Sequence, residues 1–341
     1  MFDRKLDAQR HLASVEHAKL TGGYVDPAAG KVTFESYATE WAGRQVWRPS
    51  TADAFAAAFA RVFPVIGTRP IAQLRTSEFQ ALVKTLSATL APATVEATHR
   101  AVAAVLRAAV VDRVLTSSPA VGVKLPRVDR PRVQPLELDQ VLALAEAMPA
   151  RARAAVLFAA GSGLRMGEVL GVTVDRVDFL RRTVRVDRQM ITPSHGEPHF
   201  GPPKTPSSRR TVPLAQVTLD VLAVHLARFP AVDGLVFTSS QRQPWRRGTF
   251  AELVRSAREA AGLPASVTFH DLRHHYASAL IAAGCSIKAV QEALGHKNAS
   301  ETLDTYSHLF PSDEDRVREA VEALHGSSRV TPVSRVTGAT L

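Results

Sequence analysis

VTVDRVDFLRRTVRVDR, residues 172–188, is the stretch on which the fold turns. Apolar and polar residues alternate on both sides of Leu180-Arg181-Arg182, the period of a half-buried strand on either arm of a turn. A third alternating segment, RRTVPL (209–214), follows after a loop. Outward from this β region the apolar residues recur at helical spacing instead. Upstream, helices are expected from Leu136 to Met148 and from Arg151 to Ala160. Downstream they are expected at Thr218 to Phe229, Thr249 to Ala261, His270 to Ala283, Ile287 to Leu294, Glu301 to Leu309 and Asp313 to Leu324. The class is therefore mainly α with a small antiparallel β-sheet, an α+β fold.

Farther upstream the character changes at VKLPRVDRPRVQP (123–135), which holds three prolines and four cationic residues without apolar periodicity. Proline fixes φ and disfavours helix in the residue before it, so this stretch reads as an extended, basic interdomain linker. It suits contact with a phosphate backbone and a solvated tether equally. Residues 33 to 118 carry only helical patterns, with Phe34, Tyr37, Ala38 and Trp41 on one apolar face. Further helices are expected from Ser50, at Thr76 to Leu86 and at Thr94 to Val114. Residues 1 to 22 read as one more helix, with Leu6, Leu12 and Val15 on one side and Gly22-Gly23 at its end. The expected division is a helical domain at 33–122, the linker at 123–135, a second domain at 136–325 and a loose tail at 326–341.

Among 341 residues, Lys and Arg number 42 against 32 Asp and Glu, a formal charge of +10. Such an excess attracts a polyanion through phosphate contacts; the plain alternative is a protein that is merely basic. Cys285 is the only cysteine, which excludes an internal disulfide and a cysteine-based zinc site and fits a reducing cytosol. MFDRKLDAQRHL at the start lacks the apolar core of a secretory signal. The longest apolar stretch, around Ala154 to Ala160, falls far short of the roughly 20 residues of a membrane span. The expectation is a soluble cytoplasmic protein with no membrane partner.

Four short segments concentrate polar residues that a helical domain would not need. GSGLRMGEVLGV (161–172) sets Arg165 between glycines, with Glu168 one turn on to buttress its guanidinium. PPKTPSSRRTVPL (202–214) puts Lys204 at the lip of a hairpin, with two arginines behind it. TFHDLRHHYAS (268–278) projects His270 and Arg273 from one side of a helix start. LGHKNASETLDTYSHLF (294–310) places His296 in a turn and Tyr306 well inside the next helix, on a face expected to stay partly open. Taken singly, each has a plain alternative: a surface ion pair, a solvated turn lysine, a capping histidine, an amphipathic core tyrosine. A zinc site built from His270, His274, His275 and His296 is disfavoured, because the glutamate that accompanies helical zinc histidines is missing.

Together, in chain order, Arg165, Lys204, His270, Arg273, His296 and Tyr306 form a kit suited to a phosphodiester. A phenol can attack phosphorus and form a covalent phosphotyrosine. Two arginines can hold the non-bridging oxygens without a divalent metal. A lysine can protonate the leaving 5′ oxygen, and a histidine can take or return the nucleophile's proton.

This pattern resembles the tyrosine recombinase (phage integrase) family. GLRMGEVLGV looks like its first arginine box, PKTPSSRRTVPL like its β-hairpin lysine and HDLRHHYAS like its His-x-x-Arg box. LGHKNASETLDTYSH looks like its Leu-Gly-His turn and nucleophilic tyrosine. The resemblance covers about residues 136 to 310. It implies a catalytic domain there, preceded by a helical SAM-like core-binding domain that clamps the opposite face of the duplex. It implies Tyr306 as nucleophile forming a 3′-phosphotyrosyl bond, and Arg165, Arg273 and His296 on the scissile phosphate. Lys204 is then the general acid, His270 an acid/base and Glu168 a support, with no cofactor and no metal. The implied partners are double-stranded DNA attachment sites, three further copies in a tetramer that exchanges strands through a Holliday junction, and an accessory protein directing excision. DEDRVREAVEAL (313–324), with Val317, Val321 and Leu324 apolar, suits docking on a neighbour or packing on its own protomer. Residues 1–32 resemble the end of an arm-type N-terminal region, without the small β-sheet that usually opens it. Two other classes compete. An idle DNA-binding regulator of the same fold predicts loss of an active-site residue, and none is lost. A phosphotyrosine-forming topoisomerase shares the chemistry, but the helical domain and the arm-like segment favour recombination.

Overall fold

The computed structural model describes residues 28–129, 132–194, 196–310 and 314–326, with a few isolated positions before them. The helix expected over residues 1–22, most of the arm-type segment 1–32 and the tail beyond Gly326 lie outside the described residues. The chain divides into two compact units, Met1–Arg130 and Pro131–Leu341, the division falling inside the basic stretch 123–135.

In the first unit, α1 (Phe34–Gly43), α2 (Pro49–Val62), α3 (Thr76–Ser87) and α4 (Pro92–Val111) enclose one core. Phe34, Tyr37 and Ala38 are buried there with Trp41 packed against them, the apolar stripe of α1. Thr33 caps α1 by accepting a bond from the Ser36 amide at 3.2 Å. Pro49 and Pro92 open α2 and α4, where a missing N–H costs nothing. Pro64 removes a donor just beyond α2, and the chain passes through one π-turn, Phe63–Gly67. The Gln80 side chain on α3 donates to the Lys124 carbonyl at 3.0 Å and accepts from its amide at 2.8 Å. Residues 123–129 and 132–137 then carry no regular element, as their prolines require.

The second unit begins with α5 (Leu138–Ala147), α6 (Ala150–Ser162) and the short α7 (Met166–Leu170). Its strands are β1 (Val177–Asp178), β2 (Thr183–Val186), β3 (Gln189–Ile191), β4 (His199–Gly201) and β5 (Arg210–Pro213). Then come α8 (Gln216–Arg228), α9 (Arg247–Ala260), α10 (Asp271–Ala282), α11 (Ile287–Leu294), α12 (Ala299–Tyr306) and α13 (Glu314–Gly326). The expected turn at 180–182 joins β1 to β2, held by Asp178 accepting from the Leu180 and Arg181 amides. β5 pairs antiparallel with β2, Val184 opposite Val212, and both valines turn into the core. A second hairpin, β3 with β4, was not expected from the sequence, because three-residue strands are too short to show a period.

α6 is the axis of this unit. Ala152, Ala154, Ala155, Val156, Phe158 and Ala159 are all buried, and their small side chains let α5, α8 and α10 pack close around it. No described helix is long and apolar enough to cross a membrane.

Candidate active site

The site assembles where helices end. α6 stops at Gly163, whose φ of 64° is left-handed and whose missing Cβ leaves room for the Tyr276 ring. Two residues on, Arg165 caps α7, and Glu168 returns to accept from the Arg165 amide at 3.0 Å. Glu168 is 3% exposed and holds two guanidinium groups at once. It meets Arg165 Nη1 at 3.2 Å and Arg210 Nη2 at 2.9 Å, the latter from β5. Beyond the Arg165 contact that the spacing predicts, Arg210 takes the closer one. Burial pushes the Glu168 pKa up, but the Arg210 charge and hydrogen bond outweigh it and hold the carboxyl below its usual range.

Arg210 also donates from Nε to the Ala293 carbonyl at 2.8 Å and from Nη1 to the Ser208 carbonyl at 2.9 Å. It thereby fastens the sheet to the last turn of α11, where the helix dipole is negative. Arg273, 2% exposed on α10, donates to the carbonyls of Gly163 at 2.8 Å and Leu294 at 2.7 Å. Each carbonyl closes a helix, α6 or α11, so the chain ends that position Arg165 and His296 also fix Arg273. Burial, followed by the charges of Arg165 and Arg210, pushes the Arg273 pKa down to about 9, which leaves it cationic at neutral pH.

After the left-handed Gly295 (φ 66°), His296 is buried and its Nδ1 lies 2.9 Å from the Thr302 hydroxyl on α12. Desolvation and then the Arg273 charge push its pKa down to about 4, so the ring is neutral at pH 7. Tyr306 packs on Ala277, Ile281, Val290 and Leu294. Its hydroxyl meets Nδ1 of His274 at 2.7 Å. Burial pushes the phenol up to about 12 against the opposing pull of Arg273.

Two expectations about Tyr306 need correction. It is the last residue of α12 rather than an interior one, because the chain tightens into a 3₁₀ turn from Ser307. Its face is not left open either: the residue is 1% exposed, since α10 and α11 cover the ring. His270 precedes α10 as its cap and is exposed, with its ring edge-on to His274 at 4.8 Å between centroids. Partial withdrawal of that ring from water, then the neighbouring His274 and Arg273, push its pKa down to about 4. His275 turns away to the Leu136 carbonyl at 2.6 Å.

Arg165, Glu168, His270, His296 and Tyr306 are thus each brought within electrostatic reach of Arg273. Lys204 is exposed in the loop after β4 and, among the described residues, has no hydrogen-bond or ion-pair partner. Its neighbour Thr205 does connect, through the Ser208 hydroxyl at 2.9 Å, which receives Arg165 Nη1 at 3.5 Å. Arg210, His274 and Thr302 were not singled out as functional from the sequence. His274 carried one usable signal, its i, i+4 spacing from His270, which sets both rings on one helical face.

The phage integrase family model matches residues 131–313, and the phage integrase central domain model matches residues 34–125. The chain belongs to the phage integrase family. A XerC-like tyrosine recombinase of Caldanaerobacter subterraneus is 30% identical over 195 residues, covering 51% of this chain and 50% of that protein. The integrase of Staphylococcus phage L54a is 26% identical over 210 residues, covering 55% of this chain and 59% of its own length. The chain thus spans about half of the first relative. Among solved structures, the Tn1549 transposon integrase bound to a circular intermediate DNA has a TM-score of 0.73 at 20% identity. The match covers 86% of this chain and 99% of that one. A lambda integrase tetramer bound to a Holliday junction has a TM-score of 0.63 at 20% identity, with 88% and 86% covered. At these identities the likeness is one of fold.

Proposed function

We propose that the protein is a tyrosine-type site-specific DNA recombinase that cleaves and rejoins strands through a 3′-phosphotyrosyl bond, integrating or excising a mobile element. The observation that carries this reading is that Arg165 and Arg273 both act on a single buried tyrosine hydroxyl, with His296 in reach of the same two arginines. Two fixed cations and a neutral imidazole are the donors a pentavalent phosphorane needs, and they require no metal to act. In this reading Tyr306 attacks phosphorus, and Arg165, Arg273 and His296 bind the non-bridging oxygens. His270 exchanges protons at the same centre, Lys204 swings in from its loop to protonate the leaving 5′ oxygen, and Glu168 holds the arginines in place. The lysine's exposure suits a group that orders only when a phosphate draws it in.

Residues 33–122 serve as the core-binding domain, 123–135 as the linker and 136–325 as the catalytic domain. The partners are DNA attachment sites and three further copies of the chain, with an accessory protein setting direction, all in the cytoplasm. Self-assembly is supported by the exposed Val317, Val321 and Leu324 on α13 and by the tetrameric lambda integrase of the same fold. The test is Tyr306→Phe on a nicked suicide duplex selected by binding from a random pool. The variant should bind as wild type does and form no covalent adduct. A persistent adduct would remove Tyr306 from its role.

A further inference from the structure

Among the described residues the Tyr306 hydroxyl has one hydrogen-bond partner, Nδ1 of His274 at 2.7 Å, and the two rings meet edge-on with centroids 5.6 Å apart. His270 lies one ring farther out, against His274 rather than against the tyrosine. His274 is half-buried on α10, one residue after Arg273, and its amide donates to the His270 carbonyl at 3.3 Å in the first turn of that helix. The groups facing it are His270, Asp271 and Arg273 from its own segment and Tyr306 from α12. Burial, against the pull of Asp271 and with the Arg273 charge, lowers the ring's pKa and favours the neutral imidazole; in the tautomer that carries its proton on Nε2, Nδ1 accepts from the phenol.

We propose that His274 is the base that takes the Tyr306 proton, an inference that rests on the reading of Tyr306 as nucleophile. In the forward step the Oη–H bond breaks and the proton passes to His274 Nδ1 as the Oη–P bond forms. The P–O5′ bond breaks with its electron pair on the 5′ oxygen, which is protonated by Lys204. In the reverse step an incoming 5′ hydroxyl returns its proton to the lysine, and the leaving phenol oxygen recovers its own from His274. The need for such a base is large. With the phenol pushed up to about 12, only on the order of one part in 10⁵ is phenolate at pH 7. A positioned base contributes about 10²- to 10⁴-fold.

The test compares His274→Asn and His274→Gln with wild type in single-turnover adduct formation on the suicide duplex. Both amides can accept the hydroxyl's hydrogen bond but take no proton. A second duplex carries sulfur in place of the leaving 5′ oxygen, so that the leaving group needs no acid. The expected result is unchanged DNA affinity with adduct formation slowed at least about 10²-fold on both duplexes. Wild-type rates in either variant would overturn the proposal, because a merely structural contact survives these changes. Recovery on the sulfur duplex would overturn it too, by moving His274 to the leaving-group side. A wild-type chain that forms no adduct on either duplex would instead overturn the reading of Tyr306 itself, and this inference with it.

Discussion

Glu168 is the residue on which the arrangement of charge rests, a buried carboxylate between Arg165 and Arg210. Removing it leaves Arg210, whose side chain is only 6% exposed, as an uncompensated cation. Glu168→Ala is therefore expected to cost about 3–5 kcal/mol of stability, measured by urea unfolding. The pH dependence follows from the sign of the shift. The folded pKa lies below the unfolded value of about 4.5, so the group's stabilisation is present above that pH and lost as pH falls through the folded pKa. Wild type should lose stability below about pH 4 more steeply than Glu168→Gln, a comparison made by thermal melts across pH. His296 depends on Thr302 in the same way. Thr302→Val removes the Nδ1 partner and leaves a buried polar atom unpaired, at about 1–3 kcal/mol. Slowed adduct formation with Thr302→Val, recovered with Thr302→Ser, is the expected pattern.

At the scale of elements, the site is a meeting of helix ends: the C-termini of α6 and α11 hold Arg273, and the start of α7 holds Arg165. Gly163 makes the first of these ends possible. Gly163→Ala would meet the Tyr276 ring while keeping an unfavourable left-handed φ, so a loss of about 1–3 kcal/mol is expected from calorimetry. Most of these elements were legible in the sequence, because amphipathic periods and caps are local. The N-cap at Asn298 and the glycine stop at Gly295 are where the pattern LGHKNAS put them. Arg165, Arg273 and His296 were legible for the opposite reason, as polar residues at turns and helix starts where periodicity gives them no packing role. Arg210 was not, since a strand arginine next to Arg209 reads as an outward-facing residue. Nor was the covering of Tyr306. The polar run ETLDTYSH suggests an open helix face, and only the packing of α10 and α11 on it closes that face. The β3–β4 pairing is likewise a long-range event that three-residue strands do not announce.

At the scale of the whole molecule, the charge of +10 suits the polyanionic partner proposed above. Affinity should fall steeply as salt rises, with log K linear in log salt; a flat response in a filter-binding titration would contradict the electrostatic part of the account. Adduct formation should survive excess EDTA, because the guanidinium groups supply the positive charge a metal would otherwise provide. The proposed chemistry requires a covalent bond between this chain and DNA. The most direct measurement traps the intact protein on a suicide duplex, digests both components and maps the nucleotide-bearing peptide by mass spectrometry. A single modified peptide carrying a 3′-linked nucleotide on Tyr306 is expected. A nucleotide on Tyr276, on another side chain or on no residue would contradict it.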